Sequence, residues 1–240
     1  MSKKSAKRQR KAKFQPPQEQ YFQPRNPEQQ QLQDAIVNNS ITIASGCAGS
    51  GKTLFAIQTL YDLYKGGILD SLKVVRLITE TFGENLGALP GERREKLDDY
   101  LGPIKDNLLQ VIPAGELNEM VEKEKIEVLP VSRLRGRSFT RAGVILEEFQ
   151  NLSEEMALLC LTRIGQGSKF VVTGDPSQVD FYGRNGIRYA ERLCEGLEDT
   201  EVVKFSEEQV ERHPVIKKLV QRARFLNYES DRSPKANDPR

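Results

Sequence analysis

The chain has no tryptophan, a single histidine (His213) and only three cysteines. One histidine excludes clustered histidine metal sites, and it leaves a Ser-His-Asp triad without support elsewhere in the chain. Cys47, Cys160 and Cys194 show no metal-ligand spacing. Their odd, sparse count fits a reducing compartment. No apolar run is long enough to span a bilayer. The basic start lacks an apolar segment behind it, so it does not read as a secretory signal. These features point to a cytoplasmic protein without a membrane partner. Net charge is only +2, which excludes a strong overall field of one sign.

Charge is nevertheless placed unevenly. The first 13 residues are a basic run with no apolar periodicity, and Gln- and Pro-rich sequence follows to Pro27. Residues 1–26 therefore read as a disordered arm. Such an arm suits a nucleic-acid tether, a solubility tail or a localisation signal. Residues 227–240 read as a disordered tail. Between them, 27–226 has the length and apolar content for one substantial core.

Within that core, residues 46–53 read Gly-Cys-Ala-Gly-Ser-Gly-Lys-Thr. This is a phosphate-binding loop, and each residue type has a physical reason. Gly46, Gly49 and Gly51 let the backbone turn tightly while Cys47, Ala48 and Ser50 fill the variable positions. Successive N–H groups then point at phosphate oxygens. Lys52 supplies a point charge for the β- and γ-phosphates, and the Thr53 hydroxyl suits Mg²⁺. The apolar run Ile41–Ser45 precedes the loop, and Leu54, Ile57, Leu60, Tyr61 and Tyr64 follow at helical spacing. Strand, loop, helix is the order this chemistry needs.

Strand-like runs at Ile41–Ser45, Lys73–Thr79, Ile126–Pro130, Gly143–Glu147, Lys169–Thr173 and Val202–Phe205 alternate with helix-like runs. The helical runs are Lys52–Lys65, Arg93–Leu109, Glu116–Lys123, Glu154–Arg163, Ile187–Gly196 and Val215–Phe225. Alternation predicts an α/β protein with a mainly parallel sheet flanked by helices on both faces. Ligands then gather at the carboxyl ends of the strands.

Two further strand ends carry chemistry. Val144-Ile145-Leu146 runs into Glu147 and Glu148, an apolar strand ending in paired acids. The first acid of such a pair holds Mg²⁺, and the second orients or deprotonates the attacking water. The alternative is a solvated acidic turn after a core strand. The run Phe170–Thr173 leads into Gly174-Asp175-Pro176-Ser177-Gln178. Gln178 is placed to sense the γ-phosphate or orient water, and Asp175 to position that glutamine or touch the metal shell. Arg133, Arg135 and Arg137 form a basic cluster after Ile126–Pro130. Arginines match phosphates bidentately, so these fit nucleic acid, a neighbouring subunit's ATP site, or a solvated loop. Arg212, before Pro214, is a γ-phosphate candidate in cis or in trans; Arg163 and Lys169 are further candidates.

Taken in order, these residues resemble the PhoH-like family of P-loop ATPases from about Pro27 to Phe225. The resemblance also rests on Leu86-Gly87-Ala88-Leu89-Pro90-Gly91 with Glu95-Lys96, and on Arg135-Gly136-Arg137-Ser138 ahead of Val144–Gln150. Leu161–Gly165, Thr173-Gly174-Asp175 with Gln178, and Arg212-His213-Pro214 complete it. The resemblance implies a three-layer RecA-like core related to superfamily-one helicases, and ATP hydrolysis with Mg²⁺. It also implies RNA or single-stranded nucleic acid as partner, assembly into a homo-oligomer such as a hexameric ring, and an association with phosphate starvation. Gln150 matches the last position of a D-E-x-Q box. Gln29 matches an upstream glutamine that reads the adenine edge, with Gln30 the adjacent alternative. No N-K-x-D motif is present, which favours ATP over GTP.

The sequence departs from the family pattern at three places. Glu147 stands for the usual Asp, Phe149 for a small residue, and Leu77-Ile78 for Arg-Pro, with Arg76 one position earlier. Such divergence suits a phage-encoded member acting in the host cytoplasm. The Glu147 departure leaves two functional expectations. One is an ATPase that remodels nucleic acid; the other is an ATP-gated assembly module with little turnover. The loop also permits a small-molecule kinase, but no acceptor pocket or lid signature accompanies it.

Overall fold

The computed structural model describes residues 22–77, 104–179, 185–206 and 222. The expected segment Leu86–Gly91, Arg212 and the helix at Val215–Phe225 (Arg222 apart) therefore lie outside the described residues. So do the N-terminal arm up to residue 21 and the C-terminal tail.

Six strands form one sheet: β1 (Ile41–Gly46), β2 (Ser71–Arg76), β3 (Ile126–Pro130), β4 (Ala142–Glu147), β5 (Lys169–Gly174) and β6 (Thr200–Phe205). Their spatial order is β3-β2-β4-β5-β1-β6, and every pairing is parallel. The three strands that carry the loop, the paired acids and the glutamine turn are thus neighbours. Helices α1 (Pro27–Asn38), α2 (Lys52–Lys65), α4 (Ala114–Glu122), α5 (Glu154–Leu161) and α6 (Gly186–Cys194) pack on the sheet. Residues 104–111 form a further helix, α3.

Burial on both faces explains the near-continuous apolar runs of the central strands. Along β4 and β5, side chains alternate between two cores. Ile145 and Val171 join Leu32, Ile57, Leu60 and Ile104 beneath α1 to α4. Val144, Leu146, Phe170 and Val172 join Ala157, Cys160, Ile187 and Ala190 beneath α5 and α6. Local signals set the helix starts. Ser153 accepts from the Met156 N–H at 3.3 Å, with Glu154 and Glu155 in the first turn. Asn185 caps α6 through the Arg188 N–H.

Expected boundaries moved by one to three residues at most of these elements. The largest difference is α1, which the strand and helix pattern did not anticipate. Its signals are local: Asn26 accepts from the Gln29 N–H at 2.9 Å, and Pro27 occupies the first turn. Glutamine-rich composition masks its apolar stripe, Leu32, Ala35 and Ile36, which is buried. Phe22, ahead of that helix, is tied to α2 by two bonds with the Gln58 side chain, at 3.0 and 2.9 Å.

Candidate functional site

β1 delivers the phosphate loop. Gly46, Gly49 and Gly51 have φ of 135°, 83° and 86°, a region that L side chains rarely adopt. Gly46 has a second constraint: a Cβ there would lie 2.3 Å from the Phe205 carbonyl oxygen on β6. α2 starts directly from Gly51, so its N-terminal N–H groups face the loop. The Lys52 ammonium donates to the carbonyl oxygens of Gly46 (2.8 Å) and Cys47 (2.7 Å) and to Ser50 Oγ (3.1 Å).

Gln29 reaches the loop from α1. Its side chain is buried, donates from Nε2 to the Ser50 carbonyl oxygen at 3.1 Å and accepts from the Arg25 N–H at 2.8 Å. Gln30, the alternative, is exposed and bonds Asp34 on its own helix.

β4 ends at the paired acids. Glu147 lies beside Thr53, the residue that follows the loop lysine, and Thr53 favours its ionised form. Burial pushes the Glu147 carboxyl up to about 7; Arg76 opposes the rise, while the adjacent Glu148 adds to it. Arg76 is in Cα register with Glu147 across β2 and β4. Its charge favours the ionised form of the first acid. A hydroxyl and a carboxyl group are both hard oxygen donors of the kind that suits Mg²⁺.

Glu148 has φ 51° and ψ 39°, a left-handed conformation uncommon outside glycine. The turn is pinned by its successor. Phe149 is 1% exposed in the second core, which gives a large side chain its place at this position. Burying it contributes about 2–3 kcal/mol.

β5 supplies the glutamine turn. Asp175 accepts from the Ala48 N–H at 2.9 Å and from Ser177 N–H and Oγ–H, and its carbonyl oxygen accepts from the Gln178 N–H at 3.0 Å. It therefore holds both the phosphate loop and the backbone of Gln178. Ala48, Gly49, Gly51, Lys52, Thr53, Glu148, Asp175 and Gln178 surround one cavity of about 320 Å³. Asn107 of α3 also lines it, a residue that no motif singles out because a lone helical asparagine carries no pattern.

The basic candidates fall elsewhere. Arg133, Arg135 and Arg137 are exposed on the segment that leaves β3. β3 is four strands from β1, about 19 Å at the usual ~4.8 Å spacing. Arg163 is half-buried and bonds the Leu159 carbonyl oxygen and Thr162 Oγ at the end of α5. Lys169 donates to the carbonyl oxygens of Val37 and Asn39 at the end of α1, a structural use of its charge. Among the described residues, no group of three or more His, Cys, Asp or Glu side chains could hold a metal by itself. No described helix is long and apolar enough to cross a membrane.

A phosphate loop, an acidic strand end and a glutamine turn on three adjacent parallel strands define a P-loop protein of the nucleotide-binding class. The sequence model of the PhoH-like protein family matches residues 21–223, and the chain belongs to that family. It is 34% identical to the PhoH-like protein of Bacillus subtilis over 189 residues, covering 78% of this chain and 59% of the relative. The Synechocystis PhoH-like protein is 35% identical over 195 residues, 80% and 59% of the two chains. Escherichia coli PhoH is 31% identical over 188 residues, 78% and 50% of the two chains. The chain thus spans little more than half the length of these relatives. Among solved structures, the large terminase of a thermophilic bacteriophage superposes with a TM-score of 0.50 at 13% identity, covering 83% of this chain and 50% of the terminase. That likeness concerns the fold alone.

Proposed function

We propose that this chain hydrolyses ATP at the phosphate-loop cavity and couples hydrolysis to RNA or single-stranded nucleic acid. The observation that supports this most is convergence: Lys52, Thr53, Glu148 and Gln178, from three strand ends, line one cavity. In this reading the loop amides and Lys52 bind the phosphates. Thr53 and Glu147 would hold Mg²⁺, which neutralises phosphate charge when bound. Glu148 orients or deprotonates the attacking water, and Gln178 senses the γ-phosphate. The resemblance assigns the adenine edge to Gln29, whose buried amide also braces the loop through Ser50, and the γ-phosphate to Arg212, in cis or in trans. Arg135 and Arg137, with Arg163, serve nucleic acid or a neighbouring subunit's site. Exposure of the first two, some distance from the chain's own loop, supports that assignment. A homo-oligomer, in the form of a ring, would bring one copy's arginines to the next copy's cavity.

The test is steady-state ATP hydrolysis with and without single-stranded RNA at several salt concentrations. Stimulation that fades with salt is expected, because phosphate contacts release counterions. Hydrolysis indifferent to RNA at low salt overturns the coupling.

One observation favours a second reading, an ATP-gated nucleic-acid-binding or assembly module with little turnover. Glu147 stands where a shorter Asp is usual, and its extra methylene moves the carboxylate by about 1.5 Å relative to Thr53 and the loop. Glu147→Asp separates the two. Negligible wild-type turnover that Asp restores supports the module; a wild type as active as the variant supports the enzyme.

A further inference from the structure

Gln150 is 1% exposed, yet both ends of its side chain are engaged. Its Nε2 donates to Glu148 Oε2 at 2.7 Å, and its Oε1 accepts from the Asp175 N–H at 3.2 Å. The amide orientation follows from the partners. A backbone N–H can only donate, so it must face the oxygen, and the NH₂ must face the carboxylate. Position 174 makes room for this arrangement: a Cβ on Gly174 would lie 2.7 Å from that same Oε1. Asp175 continues the chain of bonds to the phosphate loop through Ala48 and to the glutamine turn through the Gln178 N–H.

We propose that Gln150 is a positioning residue: through its amide it sets the orientation of Glu148 and ties it, by way of Asp175, to the phosphate loop and Gln178. The inference rests on the reading of Glu148 as the water-orienting acid. Three physical points carry it. Glu148 itself has an uncommon backbone conformation on a short turn, so its side-chain direction gains from an external tether. A glutamine amide supplies a charge-assisted donor without adding charge. The two strands that flank the contact, β4 and β5, are paired, so a shift at the loop moves Asp175 and reaches Glu148 through a single buried side chain. Gln150 touches neither phosphate nor water in this scheme; it acts through Glu148.

Two variants test the relay beside Glu148→Gln. Gln150→Glu keeps an acceptor for the Asp175 N–H and replaces the donor facing Glu148 with a carboxylate. Gln150→Met keeps the volume and removes both bonds. Thermal melting identifies which variants fold, and ATP binding is read with a fluorescent ATP analogue. The expected result is a kcat about 100-fold lower in either folded variant, the cost of a misplaced group, with KM and analogue affinity little changed. A purely structural role lowers the melting midpoint and leaves kcat of the folded protein intact; that result overturns the relay alone, provided Glu148→Gln is inactive. If Glu148→Gln hydrolyses ATP normally, or if the wild type has no turnover, the assignment of Glu148 falls and the relay falls with it.

Discussion

The Gln29 side chain is buried between α1 and the phosphate loop, with its Nε2 donating to the Ser50 carbonyl oxygen. A helix that precedes β1 in the chain thereby braces the loop from outside the strand-loop-helix unit.

Gln29→Ala removes that bond and the one from the Arg25 N–H. Leaving the buried Ser50 carbonyl oxygen unpaired costs about 1–3 kcal/mol. A urea-unfolding midpoint lower than wild type is expected, together with weaker ATP binding. A midpoint identical to wild type would show that the brace contributes nothing to the fold.

Gly46→Ala tests the packing of the loop against β6. The new Cβ meets a backbone oxygen at 2.3 Å, and the φ of 135° is unfavourable to alanine as well. Neither can relax by rotating a side chain, so a loss above about 2 kcal/mol is expected. Equilibrium unfolding measures it. Wild-type stability in this variant would contradict the close approach of β1 and β6.

Asp62 on α2 gives the protein a pH dependence with a defined sign. Burial raises its carboxyl from the ordinary 3.8 to about 6. Between those values the folded state holds a proton that the unfolded chain has released. The contribution of this group to stability is therefore greatest below about pH 4 and is lost as pH rises through about 6. Asp62→Asn is expected to be more stable than wild type near pH 7.5, with the difference vanishing towards pH 4. Thermal midpoints of the pair across that range check it. A constant difference would mean that Asp62 titrates normally.

The sequence carried the central features because each is local. Gly46–Thr53, Val144–Glu148 and Phe170–Gln178 declare strand, turn and chemistry within a few consecutive residues, and alternation of elements then implies a parallel sheet. What stayed hidden depends on contacts far apart in the chain. α1 is concealed by glutamines whose apolar neighbours show their stripe only when packed. The pairing of Arg76 with Glu147 needs the β2–β4 register. Lys169 reads as a phosphate-binding candidate until β5 is placed beside the end of α1. Asn107 enters the cavity only through the position of α3. The burial of Phe149 in the core beside the acidic turn is equally invisible in the sequence, where it is only a departure from a small residue.

The most direct measurement is Mg²⁺-dependent ATP hydrolysis by wild type and Lys52→Ala, with circular dichroism to confirm that both are folded. Turnover in the wild type that disappears in the variant is the expected result, since Lys52 is the charge that meets the β- and γ-phosphates. Equal turnover in the two proteins would contradict hydrolysis at Gly46–Thr53.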